Sequence, residues 1–106
     1  MEFGKKKNLD YGKVGTGKSG LGNIKSELND EFQFDKGSVG LARTFELNTE
    51  DSQFFITLQD EPLFNGEYTP VGKVIYGLDV LKKVKFVAKF HIVPRPDFIN
   101  FFKMLN

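Results

Sequence analysis

Ser52-Gln53-Phe54-Phe55-Ile56-Thr57 places two consecutive phenylalanines beside a glutamine, in a segment that reads as a buried β-strand reaching from Gln53 to Leu58. Upstream, Gly37 and Ser38 lead into Val39-Gly40-Leu41, a second strand followed by a polar connection. Downstream, Asn65-Gly66 marks a turn before a third strand from Val71 to Ile75. The order strand, turn, strand implies antiparallel pairing. After Gly77, Leu78, Leu81 and Val84 recur at helical spacing and predict a short amphipathic helix. Further on, Pro94-Arg95-Pro96 interrupts the chain and Asp97 can serve as a helix cap. Phe98, Phe101, Phe102 and Leu105 then fall at i, i+3, i+4 and i+7, which predicts a second short helix. Residues 4–23 interleave six glycines with lysines and carry few apolar anchors, so they read as loop.

Composition narrows the functional classes. A chain of 106 residues can bury one modest core, and its 12 phenylalanines supply much of the packing. The 15 basic and 14 acidic residues leave a formal net charge of +1, which provides no global field toward nucleic acid or an anionic membrane. With no cysteine, disulfides, thiolate catalysis and cysteine-ligated zinc are all excluded. That composition is compatible with a reducing compartment, and a cytoplasmic location is expected. The apolar runs are short and the N-terminus reads Glu2-Phe3-Gly4-Lys5-Lys6-Lys7, so neither a signal peptide nor a membrane span is expected.

One motif points elsewhere. Gly12-Lys13-Val14-Gly15-Thr16-Gly17-Lys18-Ser19 satisfies G-x-x-x-x-G-K-[ST], the phosphate-cradling loop of many nucleotide triphosphatases. That loop requires an apolar strand before it and a helix after it, so that backbone N–H groups converge on the phosphates. Lys5-Lys6-Lys7-Asn8-Leu9-Asp10 on one side and Gly20-Leu21-Gly22-Asn23 on the other supply neither. Glu27, Asp30, Glu31 and Asp35 form a polar stretch without metal-ligand spacing, and no metal or other cofactor is expected. The single histidine, His91, lies between Phe90 and Ile92 and reads as structural or surface rather than as a base. Lys5-Lys6-Lys7 reads as a solvated basic patch.

Taken alone, Phe54, Phe55 and Ile56 would be ordinary core residues of a strand. Their neighbours add a pattern. Gly37-Ser38-Val39-Gly40-Leu41-Ala42-Arg43-Thr44, then Asn48-Thr49, Ser52 to Thr57, Leu63, Gly66, Tyr68-Thr69 and Gly72 to Val80 have an order and spacing that closely resembles the cyclophilin-type peptidyl-prolyl isomerases. Gly15-Thr16-Gly17 leading to Ile24-Lys25-Ser26-Glu27 is similar to the same family, and the resemblance runs from about Gly15 to about Val84. It implies a mainly β fold: a partial cyclophilin-like antiparallel β-barrel with one or two short helices. Residues 1–106 would form a single domain, N-terminally incomplete, with a Gly/Lys-rich loop segment at 1–23, a barrel core at 24–93 and a divergent helical tail at 94–106. The resemblance implies that Met1 falls after the family's first helix, first strands and catalytic arginine. Arg43 and Arg95 are the only arginines present, and neither sits in that arginine's context. No catalytic residue is therefore assigned.

The implied activity is isomerisation of X-Pro bonds in proline-containing peptides or unfolded proteins, as an aid to folding, with activity impaired. Two other readings stand beside it: a non-catalytic module that binds proline-containing peptides, and an inactive fragment. By resemblance, Phe55 and Phe64 would wall a slot for the proline ring, and Gln53 would hold the peptide backbone. Ala42 and Arg43 would lie along the extended peptide, a form of strand addition. Tyr68 stands where many members carry histidine. Leu63 stands where cyclosporin-binding members carry tryptophan, which argues against affinity for that drug. Missing leading strands would leave sheet edges unpaired, so self-association is expected.

Overall fold

The computed structural model describes residues 16–84 together with Ile99 and Lys103. Three strands form one sheet: β1 (Ser38–Leu41), β2 (Phe54–Ile56) and β3 (Pro70–Lys73). Strand β1 lies at the centre and pairs antiparallel with both others, giving the order β2-β1-β3. This is the mainly β, antiparallel architecture expected from the sequence. One detail differs: the sequence order suggested that β2 and β3 pair with each other, whereas each pairs with β1. Fourteen positions from Thr57 to Pro70 are too many for a tight hairpin, and they fold back through a 3-10 turn at Pro62–Phe64. The short apolar run of β1 then takes the middle, with Ser38 and Val39 buried.

Register explains the packing. Val39 faces Ile56, Gly40 faces Phe55 and Leu41 faces Phe54 across the β1–β2 pair. On the other side Ser38 faces Lys73, Val39 faces Gly72 and Gly40 faces Pro70, so Val71 is the extra residue of a bulge. Pro70, which has no N–H to donate, opens an outer strand of the sheet, where such a residue is tolerated. The strands are shorter than the sequence suggests, but hydrogen bonding continues past them. Ala42 N–H donates to Gln53 O at 2.9 Å, Thr57 N–H to Ser38 O at 2.9 Å and Gly37 N–H to Thr57 O at 2.7 Å. Phe54, Phe55 and Ile56 are half-buried rather than enclosed, because β2 has a strand on one side only among the described residues.

After β3, Gly77 adopts a left-handed conformation (φ 88°) and starts α1 (Leu78–Leu81). The helix is a single turn, shorter than the apolar spacing to Val84 suggests, and it tightens at its end through Val84 N–H to Leu81 O at 3.2 Å. The expected turn at Asn65-Gly66 is present, with Gly66 at φ +74°. The Phe98–Leu105 helix, the boundary at 93/94, His91 and Lys5-Lys6-Lys7 lie outside the described residues. Among the described residues no helix is long and apolar enough to cross a membrane.

Candidate functional site

The site grows from Gly40. A Cβ at this position would lie 2.5 Å from Phe55 Cζ and 2.9 Å from Phe34 Cε1. Only glycine lets both rings lie over the centre of the sheet. Phe34, 1% exposed, is the most deeply buried apolar residue among those described. Its backbone is tied down on both sides: Phe34 N–H donates to Asn65 Oδ1 at 2.7 Å, and Glu61 N–H donates to Phe34 O at 2.8 Å. Those two bonds hold the 3-10 turn against the sheet and so fix Phe64. Phe55, Phe64 and Tyr68 pack edge to face, with centroids 5.5 Å apart for Phe55–Phe64 and 5.0 Å for each ring to Tyr68. Phe34 backs Phe55 at 5.7 Å and Phe64 at 6.2 Å. Such contacts contribute ~0.5–1.5 kcal/mol each beyond area burial, so the wall is stiff.

These rings border a cavity of about 360 Å³ lined by Ala42, Arg43, Phe55, Phe64, Tyr68 and Glu61, with Ile56 to Leu58 completing the floor. Five positions singled out in the sequence thus converge. Two do not line it. Leu63 is 86% exposed, because successive residues of a 3-10 turn point about 120° apart and Phe64 takes the inward direction. Gln53 donates its side-chain N–H to Gly17 O at 3.0 Å and so ties the 16–23 loop to β2.

Arg43 is held by its neighbours. Its Nε donates to Glu67 O at 3.0 Å and one terminal nitrogen to Thr44 O at 3.1 Å. The guanidinium lies 5.5 Å from the Tyr68 ring centroid and 3.8 Å from the Glu67 carboxylate. Glu61, which belongs to no sequence pattern, lines the same cavity.

Two further clusters bear on function. Ser19 donates both its hydroxyl and its N–H to the Asp51 carboxylate, the latter at 3.0 Å. The hydroxyl bond, the backbone bond and nearby Lys18 outweigh desolvation and hold the Asp51 carboxyl below its usual range. A carboxylate against Ser19 opposes an anionic phosphate there, which agrees with rejecting the nucleotide-loop reading. Glu50 is fully buried, and its carboxylate accepts from Ser26 Oγ at 2.8 Å, Thr69 Oγ1 at 2.8 Å and Thr49 N–H at 3.1 Å. Burial alone pushes its carboxyl up, but these bonds and its own N–H together hold it below the usual range. Glu50 thereby joins the 24–26 segment to the strand that begins at Pro70. Sequence spacing carries no signal for it. Among the described residues no group of three or more His, Cys, Asp or Glu side chains is arranged to hold a metal ion.

Comparison with known proteins accords with this geometry. Residues 2–98 match the family described as cyclophilin type peptidyl-prolyl cis-trans isomerase/CLD. The chain is 44% identical over 79 residues to a probable peptidyl-prolyl cis-trans isomerase of Brucella abortus (strain 2308), covering 74% of this chain and 40% of that protein. It is 42% identical over 72 residues to the peptidyl-prolyl cis-trans isomerase CYP18-1 of Arabidopsis thaliana, covering 63% and 44% respectively. Identity to the Schizosaccharomyces pombe isomerase ppi1 is 35% over 79 residues, covering 70% and 50%. The chain therefore spans half or less of the length of these curated relatives. With the family match extending over most of its length, the chain belongs to the cyclophilin-type peptidyl-prolyl cis-trans isomerases.

Proposed function

We propose that the cavity beside Gly40 receives the proline ring of an extended peptide or unfolded protein, and that the protein acts on X-Pro bonds as a peptidyl-prolyl cis-trans isomerase. The single observation that carries this is the wall of Phe55, Phe64 and Tyr68 along a cavity of about 360 Å³, which has room for a proline ring and the peptide atoms beside it. Rotation about the amide meets a barrier of ~18–20 kcal/mol and needs no covalent step. Holding the twisted amide better than either planar form is sufficient, and a thousandfold acceleration requires about 4 kcal/mol of such preference. The aromatic wall fixes the proline while the neighbouring carbonyl turns. Ala42 and Arg43 follow β1 beside the cavity, and an extended peptide lying along them would add to the sheet as a strand. Gln53, one side-chain N–H of which is donated to Gly17 O, would help to hold the peptide backbone.

A second reading, binding without turnover, is favoured by Arg43: although it borders the cavity, its guanidinium is engaged by the carbonyls of Glu67 and Thr44. A protease-coupled isomerase assay, run beside a titration with a proline-containing peptide, separates the two. Turnover and affinity that both fall by about tenfold or more in Phe55→Ala support the isomerase. Affinity without turnover supports the binding module, and neither would place the site elsewhere. Within this reading residues 1–106 act as one domain, with a loop segment at 1–23, a core at 24–93 and a tail at 94–106, in the cytoplasm. Self-association belongs to the same proposal.

A further inference from the structure

Two charged side chains line the slot, and their circumstances differ. Arg43 has 14% of its side chain exposed, and its positive charge is balanced by Glu67 and covered by Tyr68. Besides the Glu67 and Thr44 carbonyls, it donates to Phe45 O at 3.4 Å. Glu61 is half-buried. Its N–H is fixed on Phe34 O at 2.8 Å, and Gln59 Nε2 donates to Oε1 at 3.1 Å. An amide aligns a carboxylate without cancelling its charge. Among the described residues, the ion pairs involve Arg43 with Glu67 and Lys73 with Asp35, and no Lys, Arg or His pairs with Glu61. The slot thus combines apolar walls with one negative charge held in place and open to a cation.

We infer that Glu61 makes the site select peptides in which a lysine or arginine flanks the proline. The ring packs against the wall of Phe55, Phe64 and Tyr68, and the neighbouring ammonium or guanidinium meets the Glu61 carboxylate. A glutamate flanking the proline is disfavoured by the same charge. This preference rests on reading the cavity as a proline-peptide site. Pairs of this exposure are worth enough for about a threefold gain in affinity, and the gain weakens with salt as the charges are screened.

The test titrates the full chain with four capped peptides, Ala-Ala-Pro-Ala, Ala-Lys-Pro-Ala, Ala-Pro-Lys-Ala and Ala-Glu-Pro-Ala, in low and high salt. One or both lysine peptides should bind about threefold tighter than the neutral one in low salt, and the advantage should shrink in high salt. In Glu61→Gln the ratio of basic to neutral affinities should fall to about one, and in Glu61→Lys the glutamate peptide should become the preferred ligand. Equal affinity of the wild-type chain for all four peptides would overturn the role of Glu61 while leaving the proline slot standing. A lysine preference that persists in Glu61→Gln would do the same by placing the selecting charge elsewhere. Binding of none of the four would overturn the slot itself and the preference with it. Because the salt and peptide series are read on the wild-type chain, a variant that fails to fold does not remove the test.

Discussion

Gly40 and Glu50 show how single residues set the stability of this molecule. At Gly40 the absent side chain is the structural feature: Phe55 and Phe34 occupy the space a Cβ would need, at 2.5 and 2.9 Å. Gly40→Ala should therefore destabilise the fold by ~1–3 kcal/mol, the usual range for overpacking. The shift is read as a lower urea midpoint at unchanged slope, and an unaltered midpoint would mean that the rings move aside freely. Glu50 acts through charge. Its carboxyl titrates lower in the folded chain than in the unfolded one, so its stabilising contribution is fully present above the unfolded value, ~4.3. That contribution is lost as pH falls through the lower, folded value. Thermal melts between neutral and acidic pH should show this loss in the wild-type chain, and Glu50→Gln should flatten the acid limb. An identical acid limb in both proteins would show that other carboxylates govern it.

At the scale of elements, the 3-10 turn at Pro62–Phe64 connects sheet to slot. Its position depends on Asn65, whose Oδ1 accepts from Phe34 N–H at 2.7 Å and whose Nδ2 donates to Gln33 Oε1 at 2.9 Å. Asn65→Ala leaves a part-buried N–H without its acceptor, at a cost of ~1–3 kcal/mol. Hydrogen exchange at the Phe34 amide should accelerate, and proline-peptide affinity should weaken because Phe64 is no longer held against Phe55. Unchanged exchange at Phe34 would argue that the turn is fixed by ring packing alone. The β2 strand, by contrast, is secured by its ladder to β1 and should be little affected.

At the scale of the whole molecule, the described residues bury few apolar side chains and expose many. Among the described residues only Phe34 and Val39 are buried apolar side chains, whereas Leu21, Phe45, Leu63 and Tyr76 are almost wholly exposed. Exposed rings and aliphatic chains of this kind promote association in water. Sedimentation should show mass rising with protein concentration, together with binding of an apolar dye. A monomer at all concentrations with no dye binding would contradict this.

The sequence by itself determined the strand type and the family. Phe54-Phe55-Ile56 beside Gln53, the run Val39-Gly40-Leu41, and the glycine turns at Gly66 and Gly77 are local signals, because alternation, branching and left-handed backbone angles are properties of short segments. Phe55, Phe64, Tyr68, Ala42 and Arg43, which line one cavity, could be singled out together for a similar reason: their order along the chain is a pattern. The partners of each strand were not. Which strand lies in the middle depends on the path from Thr57 to Pro70, and that path is set by Asn65 and Glu61 bonding to Phe34 some thirty positions away. Nor could spacing reveal that Glu50 is buried among hydroxyls, that Gln53 is bonded to Gly17, or that Glu61 faces the slot while Leu63 faces water. Those facts depend on which groups meet in space, and only the tertiary structure, by closing contacts between distant parts of the chain, decided them.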